Sequence, residues 1–598
     1  MTFMTLAATS SEIERPLLIL YATETGNAYG VAQSISREAK RRHFQVVLAS
    51  VDDYPVADLV TEPIIIFVIA TTGSGVEPRA MTPMWNMLLR SDLPPDLLED
   101  MDYAVFGLGD TAYEKFCWAA KKLARRLESL GAREICPRGE GDEQHEFGLE
   151  GGLDPWIKQL FVSLLTLYPM PPGLEIVPAD HLRPPRISLT PRGENEALTR
   201  TSQVGEEKPP LWATLRTNQR ITSEDWYQDV RHIEFDLDSH VDYQPGDVTV
   251  IYPEAPAEDV DQFLIQMGWA NDSDEVLKID VRPGEQPLPA NVPPVSTLRE
   301  IFTKYLDINA VPRRSFFDLL RHFASDDLER EKLLDFCSLE GQDDLYDYCQ
   351  RVRRTIREVL SEFRSARVPK EYIFDLFPPL RPRQFSIASS AKAHPRQVHL
   401  CVAIVQYKTK LRIPRRGVCT MYLSALAKGT RIPIKIESGM IRLPPDPSTP
   451  VICVGPGTGV APMRALIEER VLSGARENTL YFGCRSMHMD QHYHAQWERH
   501  VREGTLRYRL SCSRNGKEGK AKVYVQHLLE QDAESVWRIL NAQKGRVYIS
   551  GSSNKMPVAV KKAIENAAKS EGGLTDEAAK KFVSTLEREG RLFEECWN

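Results

Sequence analysis

Short runs rich in branched apolar residues near the N-terminus restrict the fold more than any other feature of this chain. PLLILYA at 16–22, FQVVLAS at 44–50, PIIIFVIA at 63–70 and DYAVFGLGD at 102–110 read as strands. The segments after them carry helical spacing, as in Val31, Ile35 and Ala39. Strands alternating with amphipathic helices predict a doubly wound parallel α/β sheet. Ligands in such sheets bind beyond the carboxyl ends of the strands, so the loops after these runs are where chemistry is expected.

The chain of 598 residues is too long for one core and predicts several domains. A net charge of -8 argues against nonspecific binding to nucleic acid and suits basic patches on other proteins. The ten cysteines, at 117, 136, 337, 349, 401, 419, 453, 484, 512 and 596, include no CxxC, which reads as reduced thiols without a zinc or Fe–S site. The leader before Pro16 contains Glu12 and Glu14, and no apolar run approaches the roughly 20 residues needed to span a bilayer. The expectation is a soluble cytoplasmic protein without a membrane anchor.

The first strand ends in TETGN. Thr23, Glu24, Thr25, Gly26 and Asn27 make a tight turn whose backbone N–H groups and following helix N-terminus suit a phosphate, with no lysine in the loop. Read alone, the loop fits a phosphate cradle or a plain strand-to-helix turn with a threonine cap equally well. Two further loops lie at the same edge: ATTGSGVEP, with Thr71, Thr72, Gly73 and Gly75, and GLGDTAYEKF, with Gly107, Gly109, Tyr113 and Phe116. Together the three loops resemble the FMN site of flavodoxin-like domains, which implies a stacking face at Tyr113. Thr72 stands where many relatives carry an aromatic residue. GEGDEQHEF at 139–147 is similar to the acidic last loop of that group, with Asp142 at its acid position; most of its carboxylates read as a solvated face.

From Tyr168 the chain turns Pro-rich and polar, which predicts an extended linker over 168–207 after a first domain at 1–167. Segments such as VRHIEFDL and VHLCVAIVQYK then alternate like strands of an antiparallel β-barrel over 208–445, interrupted by a helical insert at about 256–372. A second doubly wound unit follows at 446–598. It opens with VICVGPGTGVAPMRALI, where Gly457 and Thr458 sit between a strand and a helix, an arrangement that suits phosphate. SCSRNGKEGKAKVYVQ offers Ser513, Arg514, Lys522, Tyr524 and Gln526. That cationic and hydroxyl cluster suits a 2′-phosphate, so the reading is NADPH rather than NADH. Arg485 in YFGCRS and Ser550 in YISGSSNKMP fit the next strand ends.

RPRQFSIASS resembles the flavin motif of the ferredoxin-NADP reductase superfamily. The resemblance implies Arg383 at the FAD pyrophosphate, Gln384 and Phe385 beside it in the motif, Phe385 taking the usual tyrosine position, and Ser386 close to the flavin ring. GVCT, made of Gly417, Val418, Cys419 and Thr420, is similar to the second pyrophosphate loop of that group. End to end, the chain resembles the diflavin reductases, and within them the cytosolic NADPH-dependent diflavin oxidoreductase 1 subfamily. That resemblance implies an enzyme carrying FMN, FAD and NADPH, with an anamorsin-type Fe–S protein of cytosolic cluster assembly as its partner. It also implies that Trp597 stacks on the FAD ring and that Ser386, Ser550 and Glu595 surround the reacting atoms. Ser550 replaces the usual Cys and Glu595 the usual Asp. Two alternatives stay open: a reductase for haem-thiolate monooxygenases, and a flavin-binding scaffold with little turnover. His488, His492, His494 and His500 lack a tetrahedral metal spacing and read as surface residues.

Overall fold

The computed structural model describes residues 15–192 and 211–597, apart from 25, 73, 74, 114, 284, 290, 339, 410, 411, 515–521 and 554. Thr25 and Gly73 of the expected phosphate and flavin loops lie outside these described residues.

The N-terminal sheet follows from its apolar runs. Strands β1 (Pro16–Ala22), β2 (Gln45–Ser50), β3 (Ile64–Ala70), β4 (Asp102–Gly109) and β5 (Arg133–Glu134) lie in the order β2-β1-β3-β4-β5, with β6 (Gly139–Asp142) also on β4 and every pairing parallel. Residues of β3 feed two apolar cores in alternation: Ile64, Ile66 and Val68 pack with helix α1 (Asn27–Arg41), and Ile65, Phe67 and Ile69 with helix Trp118–Ser129. A strand buried on both faces needs exactly such a doubly apolar run, and TETGN, ATTGSGVEP and GLGDTAYEKF are consequently brought to one edge.

Part of the segment expected to be linker is ordered as strand. β7 (Ile187–Pro191) pairs antiparallel with a later strand because Ile187 is fully buried in the core of the helical region. β8 (Leu211–Arg220), β9 (Val230–Leu237) and β10 (Val248–Ile251) begin the antiparallel sheet. The insert then supplies β11 (Leu277–Val281), which carries β7 and β12 (Val295–Ser296), and packs its helices around Phe263, Phe302, Phe317 and Phe377. β13 (Arg383–Ser386), β14 (Gln397–Ala403), the hairpin β15 (Gln406–Lys408) and β16 (Pro414–Arg416), and β17 (Arg431–Glu437) follow. The main sheet runs β13-β10-β17-β8-β9-β14, and its two edges meet through one antiparallel bridge between Ile387 and Leu400.

The last sheet is parallel again, in the order β20-β19-β18-β21-β22, from β18 (Val451–Val454), β19 (Asn478–Cys484), β20 (Arg507–Cys512), β21 (Arg546–Ser552) and β22 (Leu592–Trp597). No helix among the described residues is long and apolar enough to cross a membrane.

Candidate functional site

The chemistry-bearing loops gather where the three sheets meet. At the end of β1, Gly26 adopts φ 78°, open to glycine, and its N–H donates to Thr23 Oγ1 at 2.7 Å, closing the turn that starts α1. The Glu24 carboxylate accepts the Arg79 N–H at 2.8 Å, which ties the first loop to the second. In the second loop Thr72 closes the turn on Val76, with its N–H at 2.9 Å and its hydroxyl at 3.1 Å from the Val76 carbonyl, so it builds the loop instead of offering a flat face. Gly75, at φ 96°, lies against Lys115. Thr71 donates its N–H to Leu108 O at 2.8 Å, while its hydroxyl is buried without a partner among the described residues.

A Cβ on Gly107 or Gly109 would run into Ala120 and Cys117, so these glycines admit the helix that follows the third loop. Phe116 lies beside Gly109, and the Tyr113 hydroxyl donates to Ser553 Oγ of the last sheet at 3.0 Å. Asp142 staples this loop by accepting from the Thr111 N–H at 2.9 Å, the Thr111 hydroxyl at 2.6 Å and the Gln144 N–H at 3.0 Å. Burial raises its pKa, yet these bonds together outweigh that and hold it below the usual range. The turn, the glycine approaches and the orphaned Thr71 hydroxyl fit FMN.

The FAD motifs occupy neighbouring strand ends. Arg383 is exposed on β13 and donates to the carbonyls of Arg381 and Pro382. Gln384 reaches Glu437 at 3.0 Å. Phe385 pairs in register with Thr249, whose buried hydroxyl has no partner among the described residues. Gly417 opens the helix Val418–Ala425, and a Cβ there would meet Thr420 Oγ1 and Val405 at 2.8 Å. Val418 is half-buried, and Cys419 is buried with its thiol pushed up to about 12 by desolvation. The Thr420 hydroxyl accepts from Val405 N–H at 3.1 Å and donates to Gly417 O at 3.2 Å, so it holds the turn together. Tyr407, 46 % exposed on the hairpin leading to this turn, is an aromatic face that the motif reading missed. These residues fit FAD.

Ser386, Ser550 and Glu595 converge from three strands. The Ser386 hydroxyl donates to Glu595 at 2.6 Å, and Glu595 lies opposite Ser550 in the β21–β22 register. Ser550 Oγ and the second Glu595 oxygen are buried without partners among the described residues. Burial is the main cause that raises the Glu595 pKa; Asp247 adds to it, while Ser386, Arg79 and Arg442 oppose.

Beside this group opens a cavity of about 740 Å³. Its wall includes Gly457, Thr458, Arg485, Ser513, Tyr524, Gln526 and Trp597. Gly457, at φ 58°, faces open space, and a Cβ on Gly459 would lie 2.1 Å from the Ser550 carbonyl, which packs the glycine turn onto the end of β21. The cavity suits NADPH. Arg485 is part of its wall, whereas Arg514 and Lys522 are exposed and lie outside it. Two cations share one aromatic neighbour: the guanidinium carbons of Arg485 and Arg514 lie 5.3 and 5.6 Å from the ring centre of Tyr227, and Arg485 also bonds Gln228. Tyr227 and Gln228 come from the loop before β9, in another sheet, and carry no motif that sequence reading could detect. Trp597 is 39 % exposed at the end of β22, where its carbonyl accepts the Ser553 N–H at 2.9 Å.

Two of the histidines read as surface residues are buried: His492 at 2 % and His500 at 5 % exposure, packed under the β18–β20 sheet. The grouping of His232, Glu234 and His399 elsewhere is an internal network, with His232 bonded to Tyr493 and Glu234, and the Arg464 guanidinium 3.3 Å from the His399 ring. A fixed cation at that distance opposes a second, metallic one.

Comparison with known proteins agrees with this anatomy. Residues 19–156 match the flavodoxin family, 205–422 the FAD-binding domain family, and 453–562 the oxidoreductase NAD-binding domain family. The chain is 40 % identical to NADPH-dependent diflavin oxidoreductase 1 of Xenopus laevis, over 98 % of its own length and all of the relative's. The protein of that name from Bos taurus is 41 % identical over 97 % of this chain and 99 % of its own, and the one from Schizosaccharomyces pombe 38 % over the same shares.

Proposed function

The chain belongs to the NADPH-dependent diflavin oxidoreductase 1 family, and from that premise we propose that it passes electrons from NADPH through FAD and FMN to an anamorsin-type Fe–S protein of cytosolic cluster assembly. That it is an NADPH-dependent oxidoreductase carrying both flavins follows from the family and its three domain types; the acceptor, the cytosolic location and the residue roles are the proposal. The observation that supports it is the likeness to NADPH-dependent diflavin oxidoreductase 1 over 98 % of the chain.

When bound, the nicotinamide supplies an electron pair as hydride and the flavins divide pairs into single electrons, which is what an Fe–S acceptor takes. In this reading the cavity wall at Gly457, Thr458, Ser513 and Tyr524 orients the coenzyme, with Arg485 and Arg514 on its phosphate. Ser386 and Ser550 present hydroxyls, and Glu595 a hydrogen-bonded carboxyl, at the junction of the FAD and NADPH sheets. Arg383 and the Gly417–Thr420 turn hold the FAD pyrophosphate, and the sheet β13-β10-β17-β8-β9-β14 is read as an antiparallel barrel, a reading that the Ile387–Leu400 bridge between its edges supports. The domains run 1–167, 208–445 and 446–598. The Thr23–Asn27 turn takes the FMN phosphate, and Tyr113 the ring.

Electron delivery tests the acceptor. The purified chain with NADPH should reduce an oxidised anamorsin-type protein rapidly, read at its Fe–S absorbance, and a haem-thiolate enzyme slowly. The reverse ranking overturns the proposed partner, and flavin occupancy without turnover on either overturns the electron-transfer role.

A further inference from the structure

The flavodoxin-like sheet meets the rest of the chain partly through three arginines that reach it from the other side. Arg314 is matched: its guanidinium forks onto Asp154 and also reaches Glu150 at 3.1 Å. Arg313 and Arg381 meet neutral groups. Arg313 donates to the Asn27 amide oxygen at 2.7 Å, and Arg381 to the Gly26 carbonyl at 3.1 Å. Among the described residues, neither has a carboxylate oxygen within 4.0 Å. Both guanidinium groups pack directly against glycines: a Cβ on Gly26 would lie 1.8 Å from the Arg381 guanidinium carbon, and one on Gly30 1.7 Å from an Arg313 nitrogen.

The acids whose charge reaches these arginines are engaged elsewhere. Asp307 accepts the Asn309 N–H at 2.9 Å, Glu143 accepts from the Asn27 side chain at 2.9 Å, and Glu150 pairs with Arg314. Burial drives the Arg381 pKa down to about 10, with Arg313 and Arg383 adding to the fall, and burial lowers that of Arg313. Two enclosed guanidinium groups therefore stand at the positive end of the 15-residue helix α1. Enclosed charge of one sign is costly unless an anion is shared among its bearers.

We propose that the FMN phosphate, held at Thr23, Gly26 and Asn27 of the turn after β1, is the shared counter-ion of Arg381 and Arg313, so that the bound cofactor ties the flavodoxin-like domain to the rest of the chain. The inference rests on the reading of that turn as the phosphate cradle. It also supplies the cation that the loop itself lacks, from residues 286 and 355 positions away. A phosphate monoester brings about -1.5 to -2 charges. Linkage requires that the factor by which docking strengthens FMN equals the factor by which FMN strengthens docking. Riboflavin, with the same ring and no phosphate, should fill the ring site without fastening the domains.

The test uses the full-length, FAD-loaded chain stripped of FMN and titrated with FMN or riboflavin, read by flavin fluorescence, with the radius of gyration from small-angle scattering. In the unmutated chain FMN should give a more compact particle than riboflavin. Arg313→Gln with Arg381→Gln should lower FMN affinity roughly ten- to 100-fold, leave riboflavin affinity unchanged and abolish the difference in compactness. Equal compactness of the unmutated chain with both flavins, or an equal loss of both affinities in the double variant, overturns the proposal. Thr23→Ala separates this from failure of the cradle. If that variant lowers the preference for FMN over riboflavin and the arginine variant does not, the cradle stands and the counter-ion role falls. If neither changes the preference, the cradle reading falls, and the proposal with it.

Discussion

Coenzyme choice offers the sharpest test of the proposed site, because Arg485 and Arg514 at the ends of the last sheet's strands both meet Tyr227, from the loop before β9 of the antiparallel sheet. Arg514 is exposed and Arg485 half-buried, and both guanidinium groups stand over the Tyr227 ring at 5.6 and 5.3 Å. A charge-assisted contact to phosphate contributes about 1.5 to 3 kcal/mol, or roughly ten- to 150-fold in affinity. Solvent screens the exposed Arg514, so Arg514→Ala should fall near the lower end, about tenfold against NADPH. Arg485→Ala, which removes a group in the cavity wall held by Gln228, should fall near the upper end. Tyr227→Leu removes only the cation–π platform, about 0.5 to 1 kcal/mol or roughly two- to fivefold. NADH lacks the 2′-phosphate and should lose little in any of the three. Dissociation constants for NADP⁺ and NAD⁺, with steady-state constants for both reduced coenzymes at low and high salt, decide the matter. An equal loss for both coenzymes, or a loss in Arg514→Ala that salt leaves unchanged, would refute the shared cationic clamp.

Trp597→Ala should relax discrimination against NADH and slow release of oxidised coenzyme, since the half-exposed ring borders the cavity; an unchanged NADPH to NADH ratio at full FAD occupancy counts against a gating ring. Glu595→Gln should stabilise the protein at neutral pH. The Glu595 pKa is raised, so the folded state holds its proton more tightly than the unfolded one, and stability falls as pH rises from the ordinary glutamate value through the folded value. Melting temperatures from pH 4.5 to 8 should therefore show a flatter decline in the variant, and parallel curves would sink this reasoning. Separating the domains within the Pro-rich segment should give an N-terminal fragment that retains FMN and folds better when it ends after Tyr168 than at 167, because the Tyr168 hydroxyl bonds Asp102 and its carbonyl accepts from Arg15. The expected difference in urea unfolding is about 1.5 to 3 kcal/mol, and equal midpoints would place no weight on that tie.

Local chemistry was legible where the chain itself supplies both sides of an interaction. β3 announced burial on both faces through unbroken apolar content, and the turns at Gly26 and Gly457 were visible because each joins a strand to a helix and needs positive φ. Burial of His492 and His500 was not visible, because helix His494–Arg502 reads as strongly polar while the loop before it and one of its faces are covered by β19 and β20. Tyr227, Gln228, Arg313 and Arg381 escaped for a different reason. Each acts on a loop from another sheet, so no periodicity or spacing near the residue reports its role. The strand Ile187–Pro191 was hidden by flanking prolines, although one buried isoleucine and its β11 partner suffice to order it.

The contacts between domains also say which step this arrangement serves. Tyr113 bonds Ser553, the charge of Arg79 reaches Glu595, and Gly26 lies under Arg381, so the loops that suit FMN are turned inward toward the junction of the other two sheets. On the proposed function, a flavin held there would face its electron source, and delivery to a large protein acceptor would require these contacts to part. The ion pairs among these ties are separable ones: Arg314 to Asp154 and Glu150, with side chains 17 to 36 % exposed, and Lys40 to Glu285 at 2.6 Å. Partly exposed pairs of this kind weaken with salt and contribute far less than a buried apolar seam. On the proposed function, a domain fastened this way would hold for transfer within the chain and release for transfer out of it, and with the cofactor phosphate among the fasteners the loaded domain would dock more tightly than the empty one.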